Sequence, residues 1–221
     1  MFENILRIWK KEDFLKTILD DFSNMLDEAK MIFEKADMVL WAKKPAEMFH
    51  AEIYARDRKI NEEEQRIRRK LVEHLSINPR KDFAACLVFM SVIKDAERIG
   101  DYGKNIFELN YIIKSELDDD FAKTLKDIGI EVNRNLALIK GAFAEADSKK
   151  AVSIMKAHGR VSSECESLIR SMASKQLSVD KAVGYTLLGR YYKRISAHSA
   201  NIASSIVNPL EKIDFVAEGI L

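Results

Sequence analysis

The sequence predicts an all-α protein, and three observations carry that prediction. Its 221 residues include only eight Gly and three Pro, about half the usual share and too few turn formers for an all-β chain. Apolar residues recur at intervals of three and four rather than two, which is the helical period. Hydrophobic residues make up 47% and charged residues 32%, a globular composition that can bury a sizeable core.

The elements follow in order. Phe14, Ile18, Phe22, Met25, Ala29, Ile32, Ala36 and Val39 form a narrow apolar seam of the bundle kind. The seam predicts a helix over 12–43, ended by Pro45. A second helix is expected over 47–75, with a highly charged middle, broken at Asn78-Pro79. A third covers 80–114. The acidic run at 116–120 suits the start of a fourth helix, whose seam is Leu125, Ile128, Val132, Leu136, Ile139 and Phe143. A fifth is expected over 148–174 and a sixth over 179–207, stopped by Asn208-Pro209. The last dozen residues read as a tail that docks.

Three helices followed by three more suggest an internal repeat. Arg98-Ile99 recurs as Arg194-Ile195, and Asn105-Ile106 as Asn201-Ile202, both offset by 96 residues. The expected architecture is two tandem three-helix bundles of antiparallel, spectrin-like helices, one over 1–115 and the other over 116–221.

Several function classes fall away on composition. Net charge is +1, and neither half has the basic excess of a nucleic-acid binder. Cys86 and Cys165 sit in apolar helical contexts without CxxC spacing, which points to buried thiols rather than a disulfide or zinc site. No apolar run reaches membrane-spanning length and no cleavable signal pattern is present, so a cytoplasmic protein is expected. Residues 2–11 are amphipathic (Phe2, Ile5, Leu6, Ile8 and Trp9 with Lys10 and Lys11) and suit a membrane surface, the protein's own bundle or a partner. There is no P-loop and no G-x-S-x-G, and four scattered histidines make no nucleophilic constellation, so no enzyme is expected. Glu47-Met48-Phe49-His50 is an E-x-x-H without the second copy that a di-iron bundle needs.

The stretch richest in chemistry is Asp95-Ala96-Glu97-Arg98-Ile99-Gly100-Asp101, followed by Gly103 and Asn105-Ile106. Glu97 and Asp101 are one turn apart and share a helix face. Carboxylates at that spacing repel by a few tenths of a kcal/mol, and each interior glycine costs roughly 1 kcal/mol relative to alanine. A hard cation bridging the oxygens would turn repulsion into ligation, and the glycines would let a backbone or a cluster come close. The plainer reading is a solvated acidic face paired with Lys94, Arg98 and Lys104. Asp95 falls off that face and is expected to partner Arg98.

A doubled three-helix bundle with D-x-E-R-I-G-D-x-x-x-N-I in its third helix resembles the PhoU family of phosphate-uptake regulators. Arg190-Tyr191-Tyr192-Lys193-Arg194-Ile195-Ser196-Ala197-His198-Ser199-Ala200-Asn201-Ile202-Ala203 resembles the family's second motif, and the resemblance covers about residues 12–208. It implies surface metal, sometimes in multinuclear clusters, held by an acidic pair in each repeat. Glu97 and Asp101 are then the metal candidates of repeat one, with Asp57 and Asn61 assisting from the preceding helix. The oxygen donors suit a divalent or ferric ion: Fe, Zn, Mg or Mn. Repeat two departs from the pattern. Lys193 and Ala197 replace the two acids, and His158 and Ser162 fall where Asp57 and Asn61 would. A protonated lysine cannot ligate, so the second site is expected to be absent, with Lys193 taking over part of the cation's role beside Glu164 or Glu166.

The function implied by the resemblance is regulation of phosphate uptake and phosphate signalling by a helical adaptor. Its implied partners are a membrane phosphate transporter and a sensor histidine kinase, with peripheral membrane contact and a homodimer as further options. The alternatives are a metal-free adaptor for another transporter or kinase, and a carboxylate-bridged metalloenzyme.

Overall fold

The computed structural model describes residues 13–215; the amphipathic stretch at 2–11 and residues 216–221 lie outside the described residues. Within them the chain forms six long helices and no strand: α1 Asp13–Trp41, α2 Glu47–Ile77, α3 Phe83–Glu108, α4 Asp120–Glu145, α5 Ser148–Met172 and α6 Val179–Val207.

The apolar seams become the core. Every seam residue of α1 from Ile18 to Val39 is buried, as is every seam residue of α4. Phe14, at the open end of α1, instead stacks on His74 of α2 at 3.9 Å. The charged middle of α2 has its counterparts on α1. Glu28 meets Arg56 and Lys59, and Asp21 meets Arg66 and Lys70. Helix α4 starts at Asp119, whose side chain accepts from Ala122 N, and α5 starts at Asp147, which accepts from Lys149 N and Lys150 N. Both are N-caps that satisfy otherwise orphaned donors.

Within the first bundle α1 packs chiefly on α3, and within the second α5 packs on α6. The bundles meet along α3–α6 and α1–α4, leaving α2 and α5 on the outside. One continuous apolar core therefore runs through both. Phe22 of α1, Phe89 of α3 and Phe143 of α4 meet there, with ring centroids 4.9–6.0 Å apart. Tyr192 of α6 is fully buried and reaches α1, its hydroxyl 3.2 Å from Trp41 Nε1 and 3.4 Å from Asp37 Oδ1. Gly129 of α4 makes room for it, since a Cβ there would lie 2.7 Å from the Tyr192 hydroxyl.

Two segments differ from expectation or refine it. The third helix ends at Glu108, not near 114, and continues as a 3-10 turn, Leu109–Tyr111. The apolar residues that extend the helical pattern leave it to dock on α6. Ile113 sits so close to Gly184 that a Cβ there would approach its Cγ1 to 2.3 Å. Asp180 then accepts from the backbone N–H groups of Lys114 and Ser115 at 2.9 and 2.7 Å. The beginning of the tail docks as expected. Asp214 N donates to Ser204 Oγ at 2.9 Å, and the Asp214 carboxylate lies 3.5 Å from Lys94 Nζ on α3.

Candidate functional site

The two motif glycines face inward. A Cβ on Gly103 would lie 3.0 Å from Ile32 Cγ2 and 3.3 Å from the Phe33 backbone N, and one on Gly100 would lie 2.7 Å from Ile60 Cδ1. They let α1 and α2 approach α3, so their use is helix packing. That leaves the acids on the outer side of α3, facing α2.

Glu97, Asp101 and Asp57 are all partly or largely shielded, with side chains 14%, 28% and 12% exposed. Their partners are cations of the protein itself. Lys104 Nζ reaches across the helix pair to Asp57 Oδ2 at 2.6 Å and stands 3.6 Å from Asp101 Oδ1. Arg98 spans the motif pair, with Nε 3.3 Å from Glu97 and Nη1 3.0 Å from Asp101. Arg98 thus acts within its own helix rather than between helices. Asn61 lies on α2 four residues after Asp57, half-buried.

Glu97 is the electrostatically unusual member. Burial, then the charge of Asp101, with a smaller push from Glu64, raises its carboxyl from the usual 4.5 to about 7; Arg98 offsets only part of this. Lys104 adds a second cation beside Asp57 and Asp101 that Glu97 does not share.

These residues fit a metal cluster poorly. An entering ion would have to displace the Lys104 ammonium from a largely buried Asp57. Among the described residues no three His, Cys, Asp or Glu side chains are grouped as a metal site would require.

Asp95 has a different partner from the expected Arg98. It is fully buried at the α3–α6 contact, where its Oδ1 accepts from His198 Nδ1 at 2.7 Å and Asn201 Nδ2 at 3.1 Å. Lys94 Nζ lies 3.1 Å from its other oxygen, and His198 stacks on Tyr102. His198 is therefore committed to the contact between bundles.

On the second bundle, Lys193 at the place of Glu97 pairs with Glu166 of α5. This is the arrangement expected for a lysine replacing a cation; Glu164 is not its partner. His158 Nδ1 lies 3.3 Å from Ser196 Oγ, and burial, together with the charges of Lys193 and His198, lowers its pKa below the usual histidine value. The residues that sequence spacing missed are Lys104 as the partner of Asp57, and His198 and Asn201 as partners of Asp95. The spacing puts Lys104 beside Asp101, but nothing in it shows that the side chain crosses to α2.

Both thiols are free and buried. Among the described residues no helix is long and apolar enough to cross a membrane.

Comparison with known proteins places this geometry. Residues 16–109 match the PhoU domain. The fold is that of a phosphate transport system regulatory protein PhoU from Streptococcus pneumoniae, with 23% identity and a TM-score of 0.75 over 96% of this chain and 97% of that one. It is also that of PhoU from Pseudomonas aeruginosa, with 20% identity and a TM-score of 0.78 over 88% of this chain and 95% of that one. No functionally curated protein matches the chain in sequence.

Proposed function

We propose that this chain, a member of the PhoU family, is a regulator of phosphate uptake and phosphate signalling that works as a non-enzymatic helical adaptor. The observation that carries the reading is the PhoU domain match over α1 to α3, supported by a fold shared along nearly the whole chain with a phosphate transport regulatory protein. The site chemistry suits such a role. It offers paired charges on rigid helices. Its partners in this reading are a membrane phosphate transporter and a sensor histidine kinase, met from the cytoplasmic side.

We propose further that the acidic face of the first bundle works without metal, its cation being Lys104. The 2.6 Å contact between Lys104 and Asp57 favours this reading. It makes the two bundles alike in principle, with Lys104 closing one acidic face and Lys193 meeting Glu166 on the other. Fixed ammonium groups balance one or two acids each, where a metal would bridge several.

Deletion of the gene tests the regulatory reading. Cells lacking the protein are expected to take up phosphate without restraint under phosphate-replete conditions, and re-expression should restore control. Uptake and its response to phosphate left unchanged by deletion would refute the proposal.

A further inference from the structure

A cleft of about 320 Å³ opens where the α1–α2 loop faces the linker that joins the two bundles. Its volume is at the lower end of the roughly 300–1,000 Å³ typical of small-molecule sites. The floor is apolar: Val39, Leu40 and Ile113 line it and are buried. The rim is basic, with Lys43 and Lys44 on the loop side and Lys114 and Ser115 on the linker side; one acid, Glu116, also lines it.

The walls are held from behind. Asp180 fixes the linker through Lys114 N, Ser115 N and Ser115 Oγ, the last at 3.1 Å. On the other wall Ala42 N and Lys44 N both donate to Met38 O. Lys43 takes a left-handed backbone conformation there, with φ 51°, one that residues other than glycine adopt at a cost.

The rim charge is not balanced. Lys43 is paired with Glu116 at 3.0 Å. Lys114 Nζ makes only a 3.4 Å contact to the carbonyl of Asn110 in its own turn. Lys44 is exposed and has no ion-pair partner among the described residues. Lys44 on the loop and Lys114 on the linker thus both line the cleft beside an apolar floor, and neither has an ion-pair partner among the described residues, a constellation that lowers the energy of an anion bound there.

We propose that this cleft binds a small organic oxyanion, a phosphomonoester or carboxylate whose apolar body rests on the floor while its oxygens meet Lys44 and Lys114. Glu116 is the internal competitor, since it holds Lys43 and repels an incoming anion. A ligand there would tie the α1–α2 loop to the linker between the bundles. The inference stands apart from the regulatory reading above and does not depend on it.

Calorimetric titration of the whole chain with phenyl phosphate, benzoate, inorganic phosphate and neutral benzyl alcohol tests it. Saturable binding of phenyl phosphate or benzoate is expected, tighter than that of inorganic phosphate and weakened by salt; which of the two binds identifies the oxyanion. The K44A/K114A double variant should lose about tenfold in affinity, or about 1.4 kcal/mol. Both side chains are exposed, so its thermal unfolding should match the wild type. E116Q should instead bind a few-fold tighter. The inference is overturned if neither organic anion saturates below about 10 mM, if inorganic phosphate or benzyl alcohol binds as tightly as they do, if K44A/K114A binds as well as the wild type, or if E116Q binds no better.

Discussion

Replacing Glu97 by Gln should make the protein more stable at neutral and alkaline pH, an unusual outcome for removal of a charge that touches an arginine. The Glu97 carboxyl is raised from 4.5 to about 7, first by burial and then by Asp101. Between those values the folded chain keeps a proton that the unfolded chain has released. Stability from this group is therefore fully present below about pH 4.5 and is lost as pH rises through about 7. At about 1.4 kcal/mol per pH unit the ceiling is ~3 kcal/mol. Glu97 titrates together with Asp101, its side chain is 14% exposed, and Arg98 lies 3.3 Å away, so about 1–2 kcal/mol is expected. Glutamine has the shape of the protonated acid and keeps its hydrogen bonding without its titration. Urea unfolding of wild type and Glu97→Gln at about pH 5 and about pH 8 reads the effect directly. The wild type should fall by about 1–2 kcal/mol relative to the variant between the two. A difference that stays constant, or moves the other way, refutes the assignment of a raised carboxyl at this position.

Three further outcomes follow from the geometry. Metal analysis of the purified protein should find well under one ion per chain, and Lys104→Met should raise affinity for divalent ions by freeing Asp57; stoichiometric metal in the wild type that disappears in Glu97→Gln/Asp101→Asn would refute the Lys104 reading. Asp95→Ala should cost about 3 kcal/mol, because it removes a fully buried carboxylate on which His198 and Asn201 converge; denaturant unfolding within 0.5 kcal/mol of wild type (roughly the scatter of surface substitutions) would show that this contact does not hold the bundles together. Tyr192→Phe should cost about 1 kcal/mol by leaving Trp41 Nε1 and Asp37 without their buried partner, whereas Lys193→Ala, which opens a half-exposed pair with Glu166, should cost under about 1 kcal/mol; thermal unfolding that ranks the two the other way round would contradict the burial seen here.

What the sequence determined by itself is what depends on residues close together in the chain. The seams of α1 and α4 repeat at the helical period, and burying them is the largest favourable term, so six helices and their inner faces were legible. So were the breaks at Pro45 and at the two Asn-Pro pairs, because proline blocks helix continuation locally. The motif acids were legible as a shared face, and the lysine at 193 as a cation replacing an acid.

The tertiary structure alone decided which charges meet. Asp95 and His198 are separated by 103 positions and Asp57 and Lys104 by 47. Whether such side chains touch depends on the rotation and axial offset of one helix against another, and these are set by packing summed over the whole interface. The same holds for Gly100 and Gly103. Their spacing allowed a close approach by either a metal cluster or a helix, and only the position of Ile32, Phe33 and Ile60 shows that they admit helices. The end of α3 was decided in the same way. Helical periodicity continues to Ile113, but burial against Gly184 and the bonds to Asp180 outweigh another turn of helix, and nothing within the segment itself encodes that competitor.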